Sequence, residues 1–427
     1  MNASVAASPT MPVLRWLLNP AFWVPAADAF AVLTALALPW STTLVSIFAA
    51  CWLGAAALTF DYRVYLQFLK RPMCFLPFAM FGLAAIGTLW SDAPWHDRIY
   101  AVGPVAKFLL VPALFFHFQR SSRGMWVFIA FFVSCVLLML TSWITAFDPA
   151  FTLKPATDRV CGVFVKNYID QSQEFALCVV ALAYPVMTLL KENKRPLAWL
   201  LVAAALGFIA FMVFVIASRT ALVTMPIMLA VFALRHLQWR SIVVLSVVTV
   251  IAGLAWAVTP RMCRTVETLS RDFELYQERN IPTSAGLRIE FWTKSLHFIR
   301  EAPVVGHGTG SIRGLFKKAA TSDAAEASGQ IVANPHNQTL SVAIQWGIPG
   351  VTVLYAMWLF HLLLFRGDGL TAWIGLLVVV QNILSSLFNS HLFDFHEGWM
   401  YVLGVGVAGG MILKRAAGAV ADGPVKS

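Results

Sequence analysis

Long apolar runs separated by short polar breaks fill most of the chain. They lie at about 23–40, 42–60, 73–90, 99–117, 124–146, 173–190, 196–217, 220–234, 241–258, 347–365, 370–388 and 398–413. Runs of this length suit helices crossing a hydrocarbon core of roughly 30 Å. They lack the polar/apolar alternation of an outer-membrane barrel strand, and lipid admits only helices or closed barrels because backbone polar groups need partners there. The pattern therefore predicts an all-α polytopic membrane protein with about 12 transmembrane helices. Residues 1–258 hold spans 1–9 with short loops, the first pair joined tightly at Pro39-Trp40-Ser41. One long polar insertion, 259–346, is predicted to form a helical domain between spans 9 and 10. Residues 347–427 hold spans 10–12 and a tail. No internal repeat and no pair of broken helices of the transporter kind is visible.

Basic residues give this layout a direction. With the N-terminus inside, the inner pieces hold Arg63, Lys70 and Arg71, then Arg120 and Arg123, then Lys191, Lys194 and Arg195, with further ones at Arg15, Arg235, Arg240, Arg366 and the tail. The short outer loops hold only Arg98, Lys154, Arg159, Lys166 and Arg219. This asymmetry predicts both termini in the cytoplasm and the 259–346 domain outside; long translocated segments are exempt from the rule. Composition fits: of 427 residues 59% are hydrophobic and 12% charged, and mean hydropathy is +0.73. The net charge of +10 follows from inner loops and a basic outer domain, without a zinc-finger spacing or basic reading helix. Nucleic acid is not an expected partner. The N-terminus lacks the compact apolar region of a cleavable signal, so the first span is expected to direct insertion. Cys51, Cys74, Cys135 and Cys178 fall in spans and read as packing residues; Cys161 and Cys263 fall in outer loops, where pairing between them is left open.

The outer segments carry the candidate chemistry. In PRMCRTVETLSRDFELYQER, Val266, Leu269, Phe273 and Tyr276 share one helical face, and the arginines read as solvated. Next, Thr283 or Ser284 caps a helix bearing Arg288 in its first turn. A cation is disfavoured there unless an anion sits beside it, although a merely tolerated surface arginine is the simpler reading. In VVGHGTGS, Gly306, Gly308 and Gly310 suit either an anion nest or a flexible turn. In NPHNQTL, Asn334 reads as an N-cap and Pro335 as the first helical residue. His336 then lies in the first turn, where the dipole favours a neutral ring that can accept a proton. Arg219, between two apolar runs with almost no loop, is either a snorkelling residue or a functional cation on the domain's side. Lys107, within a span, is a weaker candidate. No DxD, HExxH or clustered His/Cys set is visible in the outer segments, so no metal or other cofactor is expected, and an activated donor must arrive through the bilayer.

The chain resembles the O-antigen ligase (WaaL) family, within the larger group that includes Wzy O-antigen polymerases and bacterial O-oligosaccharyltransferases. The resemblance rests on the many-span layout, the large outer loop before the last three spans, and ordered motifs: TLWSDAP, SRTAL at 218–222, RIEFW…REAPVVGHGTG, and HNQTL followed by QWGIPG. It implies a GT-C-type glycosyltransferase in the bacterial inner membrane with a periplasmic active site, acting in lipopolysaccharide biosynthesis. The implied donor is undecaprenyl-pyrophosphate-linked O-antigen, and the implied acceptor a sugar hydroxyl of lipid A-core. The family's functional positions fall on Arg219, Arg288 and His336. Guanidinium forks suit a pyrophosphate leaving group, and a positioned imidazole suits the acceptor hydroxyl. The expected reaction is a metal-independent, inverting displacement with His336 as base and Arg219 and Arg288 as clamps. Gln338, Asn337 and His307 are further candidates lining the substrate site, Asn337 alternatively only completing a helix start. Tyr168 and Glu174 are noted near the same face. The rival readings are a Wzy-type polymerase or protein O-oligosaccharyltransferase, with the same chemistry on another acceptor, and a lipid-linked glycan flippase, which would place its charges at midplane.

Overall fold

A computed structural model describes residues 20–216, 218–239 and 260–421. Every regular element among these residues is helical. In chain order they are α1 Pro20–Ala37, α2 Thr42–Ala57, α3 Tyr62–Phe68, α4 Pro72–Ile86, α5 Trp95–Ala106, α6 Leu110–Phe118, α7 Gly124–Phe147, α8 Tyr168–Lys191, α9 Arg195–Phe214 and α10 Arg219–His236. They continue with α11 Pro260–Arg279, α12 Ser284–Glu301, α13 Ile312–Lys318, α14 Gln338–Leu364, α15 Leu370–Ser385 and α16 Phe395–Ala421.

Six described helical segments are long and apolar enough to span a bilayer, α5 and α6 forming one of them through a 3-10 turn at Lys107–Leu109. A seventh arises if α2 and α3, bent by 113°, count as one broken span. Shorter apolar helices lie at Phe22–Ala37, Pro72–Ile86 and Leu370–Ser385. The chain is thus a polytopic helical membrane protein. The expected span at 241–258 lies outside the described residues. The α2–α3 bend was not anticipated: the run at 42–60 stops at Thr59, and Asp61 starts a new helix by accepting from the amides of Arg63 and Val64.

Small residues let the last span approach its neighbours. Gly406 of α16 packs on Leu114, and Gly410 on Phe118, both of α6. In lipid such close packing replaces the hydrophobic drive as the source of helix association. An apolar cavity of about 310 Å³ opens between α1, α7, α8, α15 and α16, lined by residues such as Leu38, Phe131, Leu177 and Leu403.

The polar domain is bolted into this bundle by the glycine loop. The amides of His307 and Gly308 donate to the carbonyls of Ile344 and Gln345, at 2.8 and 2.9 Å. The Gly310 amide donates to Gln345 Oε1 at 2.8 Å, and the Thr309 amide to Gly87 O at 2.9 Å. All three glycines have positive φ, and a Cβ on Gly306 would strike the Gln345 backbone. The loop is therefore a helix-docking turn whose amides are spent on α14 and α4, not an anion nest.

The same contact breaks α14. Gly347 sits at φ 56, ψ −145, and the following amide, Ile348, bonds the carbonyls of Pro303 and Val304. A Cβ at Gly347 would meet that backbone. Gly347→Ala is expected to cost about 1–3 kcal/mol and to loosen the domain; a thermal melt in detergent checks it, and an unchanged midpoint would mean that the kink relaxes freely.

Below the site the domain has its own apolar centre, Phe291, Phe298, Ile312, Phe316 and Ile344. Tyr276 of α11 reaches it through a hydrogen bond to Glu290 Oε2 at 2.6 Å. Arg271 and Arg279 are exposed, as the solvated reading requires. Cys161 is a free thiol, its Sγ 3.7 Å from Ala146 O; the side chain of Cys263 lies outside the described residues.

Candidate active site

Arg219, Arg288 and His336 come from three separate segments. Arg219 is the first residue of α10, whose N-cap Ser218 accepts from the Ala221 amide at 3.1 Å. Arg288 lies in the second turn of α12, capped by Thr283, one of the two caps foreseen. Phe291, one turn further along the same face, stacks on His336 with ring centroids 6.0 Å apart and planes at 23°. The charges are mutually felt. Burial lowers the Arg288 pKa, and the facing Arg219 charge lowers it further, while Tyr168 at the start of α8 opposes the shift. Among the described residues neither arginine has a carboxylate partner or a side-chain hydrogen bond. Two guanidinium groups close enough to influence each other, without an acid partner, have the chemistry that suits an anion.

His336 is placed differently from the expectation. It precedes the helix: Asn337 is the N-cap, accepting from the Leu340 amide at 3.1 Å. His336 itself has φ 54, a left-handed conformation uncommon outside glycine and asparagine. Asn334, read as the cap, instead accepts from the His336 amide at 2.9 Å and from Ser390 Oγ at 2.7 Å. The imidazole pKa is lowered, as expected, but by burial first and the Arg288 charge second, with the Asn389 hydrogen bond opposing. At neutral pH the ring is uncharged and able to accept a proton.

The other candidates divide. Asn337 is the cap, and its Nδ2 donates to Leu387 O at 3.2 Å. Gln338 is buried, its Oε1 accepting from the Leu392 amide at 3.1 Å; it braces the loop after α15. The Nε2 of His307 lies 2.8 Å from Phe298 O and donates to that carbonyl, so the ring is tied to α12 from within the glycine loop. Glu174 is buried and paired with Lys166 at 3.1 Å.

Sequence reasoning passed over the segment that joins α15 to α16 and the first turn of α16, SLFNSHLFDFHEG. It folds over His336. Asn389 Oδ1 lies 2.9 Å from His336 Nδ1 and accepts from Asn334 Nδ2 at 2.9 Å. Its Nδ2 donates to Asp394 Oδ2 at 2.6 Å. The signal available in sequence was the density of His, Asp, Asn and Glu between two apolar runs. Below, His396 Nδ1 meets Asp170 Oδ2 at 2.6 Å. Burial raises the Asp394 pKa to about 6 and lowers that of His391 to about 4.

Folding also assembles what the outer sequence lacked, a group with metal-like spacing: donor atoms of His391, Asp394 and Glu397 lie within 4.8 Å of one another. A side chain of the bundle reaches the same loop. Lys107 interacts electrostatically with Asp394 and Glu397, and its Nζ donates to the carbonyls of Phe393 and Asp394. The mid-span lysine thus has a partner, the loop over the site.

Residues 203–356 match the O-antigen ligase family model. This match supports membership of the O-antigen ligase/polymerase family. Members of that family are glycosyltransferase-like enzymes of glycan assembly. The matched stretch contains Arg219, Arg288 and His336, and it ends before Asn389 and Asp394. It does not separate ligase from polymerase. No curated protein matches the chain.

Proposed function

We propose that the chain is an O-antigen ligase of the bacterial inner membrane, with its active site on the periplasmic face. It moves O-antigen from undecaprenyl pyrophosphate to a sugar hydroxyl of lipid A-core. The observation that carries this reading is the pair Arg219 and Arg288, uncompensated by acid among the described residues and set against a neutral His336. His336 takes the acceptor proton as the hydroxyl oxygen forms its bond to the anomeric carbon. The bond from that carbon to the pyrophosphate oxygen breaks, and the electron pair leaves on undecaprenyl pyrophosphate. The arginines hold the charge that develops there. One displacement on the face opposite the leaving group inverts the anomeric centre, and no covalent enzyme intermediate is needed. The imidazolium returns its proton to solvent or product pyrophosphate.

A strain lacking the protein should accumulate polymerised, lipid-linked O-antigen while its lipid A-core stays uncapped. Loss of the polymer itself would replace this reading with a polymerase. Purified protein that moves lipid-linked glycan between leaflets without transferring it would replace it with a flippase. With purified protein, lipid A-core and donor, transfer is expected to persist in a chelator. Loss of transfer under chelation, restored by a single divalent ion, would assign His391, Asp394 and Glu397 a metal and sink the metal-free mechanism.

A further inference from the structure

We infer that Asn389 is a positioning residue for the proposed reaction, holding His336 in the Nδ1–H tautomer so that Nε2 is the basic atom. The inference rests on the reading of His336 as base.

The amide orientation carries it. Asn389 makes three contacts: His336 Nδ1, Asn334 Nδ2 and Asp394 Oδ2. Asn334 Nδ2 is a donor and a carboxylate oxygen an acceptor, so Asn389 must present its oxygen to the first and its nitrogen to the second. Reversing the amide would set NH2 against NH2 and oxygen against carboxylate. Asn334 is fixed in turn, because its oxygen accepts from the His336 amide and Ser390 Oγ. With an oxygen facing it, Nδ1 of a neutral imidazole must carry the hydrogen. The lone pair is then on Nε2, which has no hydrogen-bond partner among the described residues.

The choice of a neutral amide matters chemically. A carboxylate bonded directly to Nδ1 stabilises imidazolium and raises the pKa. Here the carboxylate, Asp394, stands one group further back, and Lys107 anchors its loop from the membrane. The ring is oriented without the added charge, and it stays neutral beside the arginines. The titratable and charged groups facing the ring's surroundings are Arg288 on α12, Tyr168 and Asp170 on α8, Arg219 on α10, and His391 and Asp394 on the loop. All but Asp394 are untouched by the variants below.

The test is the pH dependence of kcat for transfer from purified lipid-linked pyrophosphate glycan to lipid A-core. Asn389→Asp puts a carboxylate on Nδ1, and the double variant Asn389→Asp/Asp394→Asn does the same while keeping the amide–carboxylate bond. In both, the acid limb should move up by about one pH unit or more, with activity recovering at high pH. Asn389→Leu, which removes the acceptor, should lower kcat by roughly 10–100-fold with KM for the donor little changed. An acid limb at the wild-type position in whichever carboxylate variant folds, judged by detergent melting, would overturn the inference, as would wild-type kcat in Asn389→Leu. If His336→Ala is inactive and the Asn389 variants are unshifted, only the positioning role fails. If His336→Ala is active, the base assignment fails first.

Discussion

His336→Ala is expected to lower transfer by about 10²–10⁴-fold, the usual contribution of a positioned general base, while the protein still folds. Three features separate chemistry from stability at this residue. The ring contributes one neutral hydrogen bond, to Asn389, worth about 0.5–1.5 kcal/mol, and one offset contact with Phe291. The helix start does not depend on it, because Asn337 supplies the cap. The backbone at φ 54 is the remaining risk, since alanine tolerates that region poorly. His336→Asn addresses this: asparagine visits left-handed φ readily but offers no basic nitrogen. Both variants should melt near the wild type in detergent and bind donor, and both should fail in transfer. Near-normal transfer by either would remove the base assignment. The sign of the pH effect follows from the shift. The His336 pKa is lowered, so the neutral form persists below the ordinary histidine value, and activity should fall only as pH drops through that lowered pKa.

The helical membrane class was legible because apolar runs leave a one-dimensional mark, and Arg219, Arg288 and His336, whose charges the structure couples, each leave one too. Arg219 interrupts two apolar runs, and Arg288 drew notice as a first-turn cation, although the structure places it in the second turn of α12, where the dipole is weaker. The helix boundary at 334–338 was not legible. Asn334 and Asn337 are both good caps, and Pro335 favours the earlier one; local preference alone selects Asn334. The choice is reversed by a tertiary partner, Ser390, which binds Asn334 Oδ1, and by the backbone bond from Gln338 N to Ser386 O at 2.9 Å. The same reason hid Asn389 and Asp394. A neutral amide has no charge or periodicity to notice, and its role exists only once the loop crosses to the segment at 334–337. The glycine loop misled differently: positive φ was rightly expected, but glycine serves close approach to α14 as well as anion binding, and spacing does not tell these apart.

Arg288→Gln is expected to separate stability from activity in the opposite sense to most substitutions. In the free protein Arg288 is half-buried and faces Arg219, and neither has an acid partner among the described residues. Removing one charge relieves repulsion and desolvation, so the melting temperature should hold or rise, a pattern common where a site is built for a ligand rather than for the fold. Transfer should fall by roughly 10²–10³-fold, the usual effect of deleting a donor aimed at developing charge. Arg288→Lys restores the charge but not the two parallel N–H groups, and should stay impaired by at least about tenfold. Inorganic pyrophosphate serves as a probe independent of turnover. It should raise the melting temperature of the wild type, less so at high salt, and leave Arg288→Gln nearly unmoved. Wild-type transfer by Arg288→Lys would reduce this residue to a point charge. A melting temperature that falls in Arg288→Gln would mean the arginine supports the fold through contacts other than those described, and the anion site would then rest on Arg219 alone.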